Sequence, residues 1–126
     1  MTTMLCVRAA TTTYCLPISA TRAVRSAVGI TALPAPKESV IGVLPDDPPL
    51  AVIGPFGTRG SHVVVVDCDG ARFGLLVDEV IGLRNVDDTA LAAAPAGQAQ
   101  QVIAGSLRIA DEVAFLIDAQ VLAGAL

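Results

Sequence analysis

A chain of 126 residues is long enough for one compact domain, or for two very small sheets sharing a core, and too short for two independent domains. Its 53% hydrophobic content comes as short runs of Val, Ala, Leu and Ile, with only 3% aromatic residues; no run approaches the ~20 residues of a membrane-spanning helix, so direct membrane insertion is not expected. A net charge of -4, with eight Lys and Arg spread thinly, leaves no stripe able to track phosphates, and nucleic acid is not expected as a partner.

In chain order the period is that of strands. Met4 to Ala9 is an apolar run, Ala10 to Thr13 a polar turn and Tyr14 to Ile18 a second run, so the chain opens as a hairpin. Ser19 to Val28, carrying Arg22 and Arg25, reads equally as a strand continuation or as one helical turn. Pro34 and Pro36 mark a loop, after which Val40 to Leu44 and Leu50 to Ile53 are apolar runs separated by Pro45-Asp46-Asp47-Pro48-Pro49. Proline donates no ladder hydrogen bond, so these five residues form a turn. The stretch from Pro55 to Ser61, rich in Gly and Pro, reads as a loop between two subdomains.

The clearest hairpin follows, with His62 to Asp67 and Ala71 to Val77 joined around Asp69-Gly70, a dipeptide suited to the tight turn that matches strand twist. Val80 to Leu83 is apolar, and Asn85 to Gln100 is a loop of Ala, Pro, Gly and Gln. Gln101 to Ile109 and Val113 to Ile117 form a last hairpin across Ala110-Asp111-Glu112, and Asp118 is placed to cap a short helix through Leu122. Many short strands without a sustained 3.6-residue period predict an all-β fold, as two small barrels.

Groups able to carry chemistry are sparse. The three cysteines, Cys6, Cys15 and Cys68, lie inside apolar runs without paired short spacing and read as reduced core residues, which fits a cytoplasmic protein without a signal peptide. His62 is the only histidine and reads as a polar residue at a strand edge. Nucleophile elbows, HExxH and phosphate-binding glycine loops are absent, so no catalytic residue, metal site or cofactor is expected. Of the carboxylate pairs Asp46-Asp47, Asp78-Glu79 and Asp87-Asp88, adjacent residues on a strand point to opposite faces, and solvated loop ends explain them. Asp78 is the exception to watch because it ends an apolar strand, and Asp46-Asp47, stiffened by flanking prolines, is a candidate partner contact.

The order of these pieces resembles a known family. Tyr14-Cys15-Leu16-Pro17-Ile18, Arg22-Ala23-Val24, Thr31-Ala32-Leu33-Pro34 and Val40-Ile41-Gly42-Val43-Leu44 look like the first half of the CheW-like domain of bacterial chemotaxis signalling. The second half is closer: Val63 to Val66, Asp69-Gly70, Gly74-Leu75-Leu76-Val77-Asp78 with Val80, then Ile103-Ala104-Gly105 and Phe115-Leu116-Ile117-Asp118. The resemblance implies two five-stranded SH3-like barrels sharing a hydrophobic core, with about 14–56 in the first, 61–118 in the second, and terminal strands or helix open to exchange between them. It implies a non-enzymatic adaptor that binds the regulatory domain of a CheA-type histidine kinase through one barrel and a chemoreceptor tip in a groove between barrels. Carried over residue by residue, that groove includes Thr21, Ala23, Gly42 and Val43. Where the family has an Asn-x-Arg-Gly turn this chain has Pro45-Asp46-Asp47-Pro48, so Asp47 replaces a cation by an anion. A competing reading is a self-associating homo-oligomeric β module, pairing through exposed strand edges, that has lost kinase binding.

Overall fold

Runs such as Val63 to Val66 are apolar at every position, a pattern that requires burial on both faces of a strand. In a computed structural model, which describes residues 2–32, 40–45, 49–54, 60–68, 70–87, 103–109 and 112–124, that requirement is met by placing such strands between two cores. The strands are β1 (Thr2–Ala9), β2 (Thr12–Pro17), β3 (Thr21–Ser26), β4 (Thr31–Ala32), β5 (Val40–Leu44), β6 (Leu50–Ile53), β7 (His62–Cys68), β8 (Ala71–Val77), β9 (Glu79–Val86), β10 (Ile103–Ile109) and β11 (Glu112–Ile117). A single 3-10 turn (Ile18–Ala20) precedes β3, and a helix α1 (Ala119–Gly124) follows β11. The fold is all-β, as expected.

The strands form a five-stranded sheet in the order β10-β11-β2-β1-β9 and a six-stranded sheet in the order β3-β7-β8-β6-β5-β4. The second sheet has to curl. Only residues 27–30 join β3 to β4, reaching at most about 17 Å, whereas the outer strands of a flat six-stranded sheet stand about 24 Å apart. Its inner face encloses Leu44, Leu50, Val52, Val63, Val65 and Leu76, and the five-stranded sheet encloses Met4, Cys6, Cys15, Val86, Leu107 and Ala114. Alternate residues of the same strands build the core the two sheets share: Leu5, Val7, Tyr14, Leu16, Phe115 and Ile117 from one, Val64, Val66, Phe73, Leu75 and Val77 from the other. The expected double barrel with a common core is therefore present, with six strands in one sheet where five were expected, because the two-residue strand β4 adds to its edge.

Its division along the chain is not the expected one. The chain begins in the five-stranded sheet, crosses at Ile18–Ala20, completes β3 to β8 in the six-stranded sheet and returns at Asp78. Strands β7 and β8, expected in the second barrel, share a sheet with β3 to β6, and Tyr14–Pro17, expected in the first, lies in the other sheet. The segment 55–61 consequently connects strands of one sheet; its residues 55–59, like 33–39, 88–102 and Asp69, lie outside the described residues. The reason is non-local pairing: β6 runs parallel to β8 through Val52↔Gly74, and β2 runs parallel to β11 through Tyr14↔Phe115. Neither leaves a mark in the local pattern.

The turns follow local chemistry. Cys68 pairs with Ala71, leaving a two-residue link in which Gly70 has φ +82°. The β1–β2 hairpin turns at Ala10, an alanine at φ +56°, where left-handed backbone is costly. Asp78 compensates: its Oδ2 accepts the Ala10 amide at 2.6 Å, and its own amide donates to the Arg8 carbonyl at 2.9 Å. The carboxylate singled out at a strand end thus clamps the hairpin at the point where the chain returns to the first sheet. Asp118 caps α1, its Oδ1 accepting the amides of Gln120 (3.1 Å) and Val121 (3.2 Å). Asp118→Ala is expected to cost about 1 kcal/mol, read as a lower urea midpoint with unchanged slope.

Candidate functional site

The junction where the chain first crosses between sheets leaves a hollow of about 150 Å³ lined by Leu5, Ile18, Thr21, Arg22, Ala23 and Val24. Leu5 belongs to the shared core, Ile18 to the 3-10 turn and the other four to β3. β3 pairs only with β7 among the described residues, and its register slips between Thr21 and Ala23, so Arg22 is an extra residue and the strand bends there. Thr21 Oγ1 donates to the Ile18 carbonyl at 3.0 Å, fixing the turn that leads into the bend. Arg22 is held by an ion pair with Asp67 on β7, Nε to Oδ2 at 3.4 Å. Two large apolar side chains remain uncovered beside the hollow, Ile18 at 41% and Val24 at 43% exposure. Side by side at a concave surface, the two make this the candidate interaction site.

Thr21 and Ala23, expected in a partner groove, both line this hollow. Gly42 and Val43 do not: they sit in β5, flanked on both sides by strands, with Gly42 opposite Ala32 and Val52, and Val43 opposite Thr31 and Ala51. Gly42 does serve a close approach, but to the protein's own backbone. A Cβ there would stand 2.6 Å from the Thr31 carbonyl oxygen and 2.7 Å from Ile30 Cγ2. Asp46 and Asp47 lie outside the described residues; Pro45 and Pro49 on either side are exposed. Ile18, in the 3-10 turn, and Val24, on β3, were not anticipated as surface residues, because an isolated apolar residue in a turn or short strand looks the same in sequence whether it faces core or solvent.

The other expectations resolve simply. His62 is half-buried at the start of β7, with Nδ1 3.3 Å from the Asp78 carbonyl oxygen. Arg8 on β1 forms ion pairs with Glu79 (3.5 Å) and Glu112 (3.4 Å), and Thr13 donates to Glu112 at 2.7 Å, so Glu79 and Glu112 belong to a partly exposed network tying β1 to β9 and β11. None of the three cysteines is in a disulfide; Cys6 and Cys15 are buried, whereas Cys68 is only half-buried at the end of β7 and is not a full core residue. No three His, Cys, Asp or Glu side chains converge as metal ligands among the described residues, and none of their helices is long and apolar enough to cross a membrane.

Two curled all-β sheets around a common core, with a hollow at their junction, define the double-barrel class of module. A family model for the CheW-like domain matches residues 47–126, most of the chain, and the protein belongs to that family. Among solved structures it is similar to the scaffolding protein TtCheW from Thermoanaerobacter tengcongensis, with a TM-score of 0.81 over 93% of this chain and 88% of that chain at 22% identity, a likeness of fold. No curated protein matches the sequence.

Proposed function

We propose that residues 1–126 act as a single CheW-like domain, a non-enzymatic cytoplasmic adaptor coupling a CheA-type histidine kinase to a chemoreceptor or equivalent input. One barrel binds the kinase regulatory domain and the junction hollow receives the helical tip of the receptor. The observation that carries this reading is the pair of exposed apolar residues, Ile18 and Val24, flanking a hollow walled by Thr21 and Ala23. An amphipathic helix laid there would cover both side chains, the ordinary mode of helix-in-groove recognition. Family membership and a fold shared with a scaffolding protein support it further. Gly42 and Val43 support the groove's sheet from within, and Asp46 and Asp47, in place of the family's arginine turn, select a partner surface lacking acidic residues at that point.

Titration calorimetry against the kinase regulatory domain and, separately, a receptor-tip helical hairpin from the same organism tests both halves. Val24→Asp places a carboxylate against the apolar face and is expected to weaken receptor-tip binding about tenfold or more while leaving kinase binding unchanged. An unchanged receptor affinity would remove the hollow as the site. Absence of binding to either partner, with a homodimer in solution, would favour the self-associating module, for which the exposed Leu83 on the outer strand β9 offers a contact.

A further inference from the structure

Cys6 and Cys15 are direct partners across the β1–β2 ladder, and their sulfur atoms are 3.5 Å apart. Antiparallel partners have Cα atoms about 4.5–5.5 Å apart, inside the range of about 4.4–6.8 Å that disulfides span. A bond of about 2.05 Å therefore needs only a rotation of the two side chains and a small approach of the strands. Cys6 is only 1% exposed, yet its side chain borders a space large enough for a small peroxide. It lines a hollow of about 90 Å³ in the five-stranded barrel, with Arg8, Thr13, Ile81, Arg84 and Glu112 among its walls. Its neighbour on the other side, β9, presents Gly82, which carries no side chain, opposite Cys6. Gly82 adopts φ +142° at a register slip, a conformation that keeps the position glycine. Cys15 does not line the hollow.

We infer that Cys6 and Cys15 form a reversible thiol–disulfide site, at which Cys6 meets a hydroperoxide and Cys15 resolves the product. The Cys6 thiolate attacks the peroxide oxygen, the O–O bond breaks and the leaving hydroxide takes up a proton, giving a sulfenic acid and water. The Cys15 sulfur then attacks the Cys6 sulfur, the S–O bond breaks and a second water leaves. Two thiols lose two electrons and two protons, and hydrogen peroxide is reduced to two waters. The order of events follows from the surroundings. The hydrogen bond from Cys15 and the Arg84 guanidinium lower the Cys6 thiol below its ordinary value against the opposing effect of burial, while the hydrogen bond to Cys6, desolvation and the Cys6 charge raise Cys15. The Arg8 and Arg84 cations and the Glu112 carboxylate are the charged groups lining the same hollow. Oxidation ties β1 and β2, neighbouring inner strands of the five-stranded sheet, together covalently.

The test uses the full chain with Cys68→Ser, leaving the two buried thiols. After reduction, removal of reductant and exposure to stoichiometric hydrogen peroxide, the protein is denatured, alkylated and mapped by mass spectrometry. The expected result is loss of both alkylation sites, a Cys6–Cys15 cross-linked peptide within one chain, and recovery of both thiols with dithiothreitol. Adding Cys15→Ser is expected to stop the reaction at a sulfenic acid on Cys6, captured by dimedone. Two alkylated thiols after peroxide, a cross-link between chains, or irreversible overoxidation of Cys6 in the two-thiol protein would each overturn the inference.

Discussion

Phe73→Ala is expected to lower the unfolding free energy by about 3–5 kcal/mol, the range for truncating a fully enclosed aromatic side chain. Phe73 is 0% exposed on β8 and contributes to the core that both sheets share. Its ring is among the largest side chains wholly removed from solvent, so its loss leaves a cavity between the barrels that neither sheet can collapse into without shifting the other. With a total stability of about 5–15 kcal/mol to draw on, the variant is expected to be partly unfolded near body temperature. Urea denaturation checks this: the midpoint falls while the slope stays constant. A loss below about 1 kcal/mol would mean that the two sheets do not depend on a common core.

Gly42→Asp has the second largest expected effect, about 3 kcal/mol or more, combining overpacking with burial of a charge. The Cβ would press on a backbone carbonyl of β4 and on Ile30, and backbone within a sheet cannot step aside as a flexible side chain can. Gly42→Ala isolates the steric part and is expected to cost about 1–3 kcal/mol. Circular dichroism during urea titration of the three proteins orders them wild type, alanine, aspartate. The comparison also bears on function. Reduced partner binding by Gly42→Asp would follow from damage to β4 and β5, whereas Val24→Asp, on an exposed position, reports on the hollow itself.

What could be read from the sequence was what neighbouring residues determine among themselves. The hairpins of Met4 to Ile18 and His62 to Val77, the strands on either side of Pro45 to Pro49, and the cap at Asp118 all depend on runs and turn chemistry within a few residues. Membership of a sheet depends instead on pairings between distant segments, such as Tyr14 with Phe115, and the glycine- and proline-rich stretch near residue 57 was misleading because such composition marks a turn within a sheet as readily as a boundary between sheets. The doubly apolar runs carried an unused signal: a strand with no polar face must lie between two cores, and Val63 to Val66 does. Around the hollow, Thr21 and Ala23 were singled out only through family resemblance, while Ile18 and Val24 carry no pattern that separates an exposed apolar residue from a buried one. The Asp78 clamp on Ala10 was legible only as an unexplained carboxylate at a strand end, because its partner lies on a distant hairpin.

The Cys6–Cys15 site adds a second property to an adaptor. A covalent tie between β1 and β2 would stiffen the sheet whose Leu5 forms part of the wall of the hollow. Comparing receptor-tip affinity of the reduced and oxidised protein would measure any such connection directly.

A protein that couples a kinase to an input changes that kinase's activity when the input is present, and reconstitution measures this. Receptor-tip assemblies and the CheA-type kinase of the same organism are mixed with and without this protein, and kinase autophosphorylation is followed. Receptor-dependent kinase activity that appears only when the protein is added, and is lost with Val24→Asp, is the predicted result. Kinase activity indifferent to its presence, in a mixture where each partner is folded and active, would contradict the adaptor account.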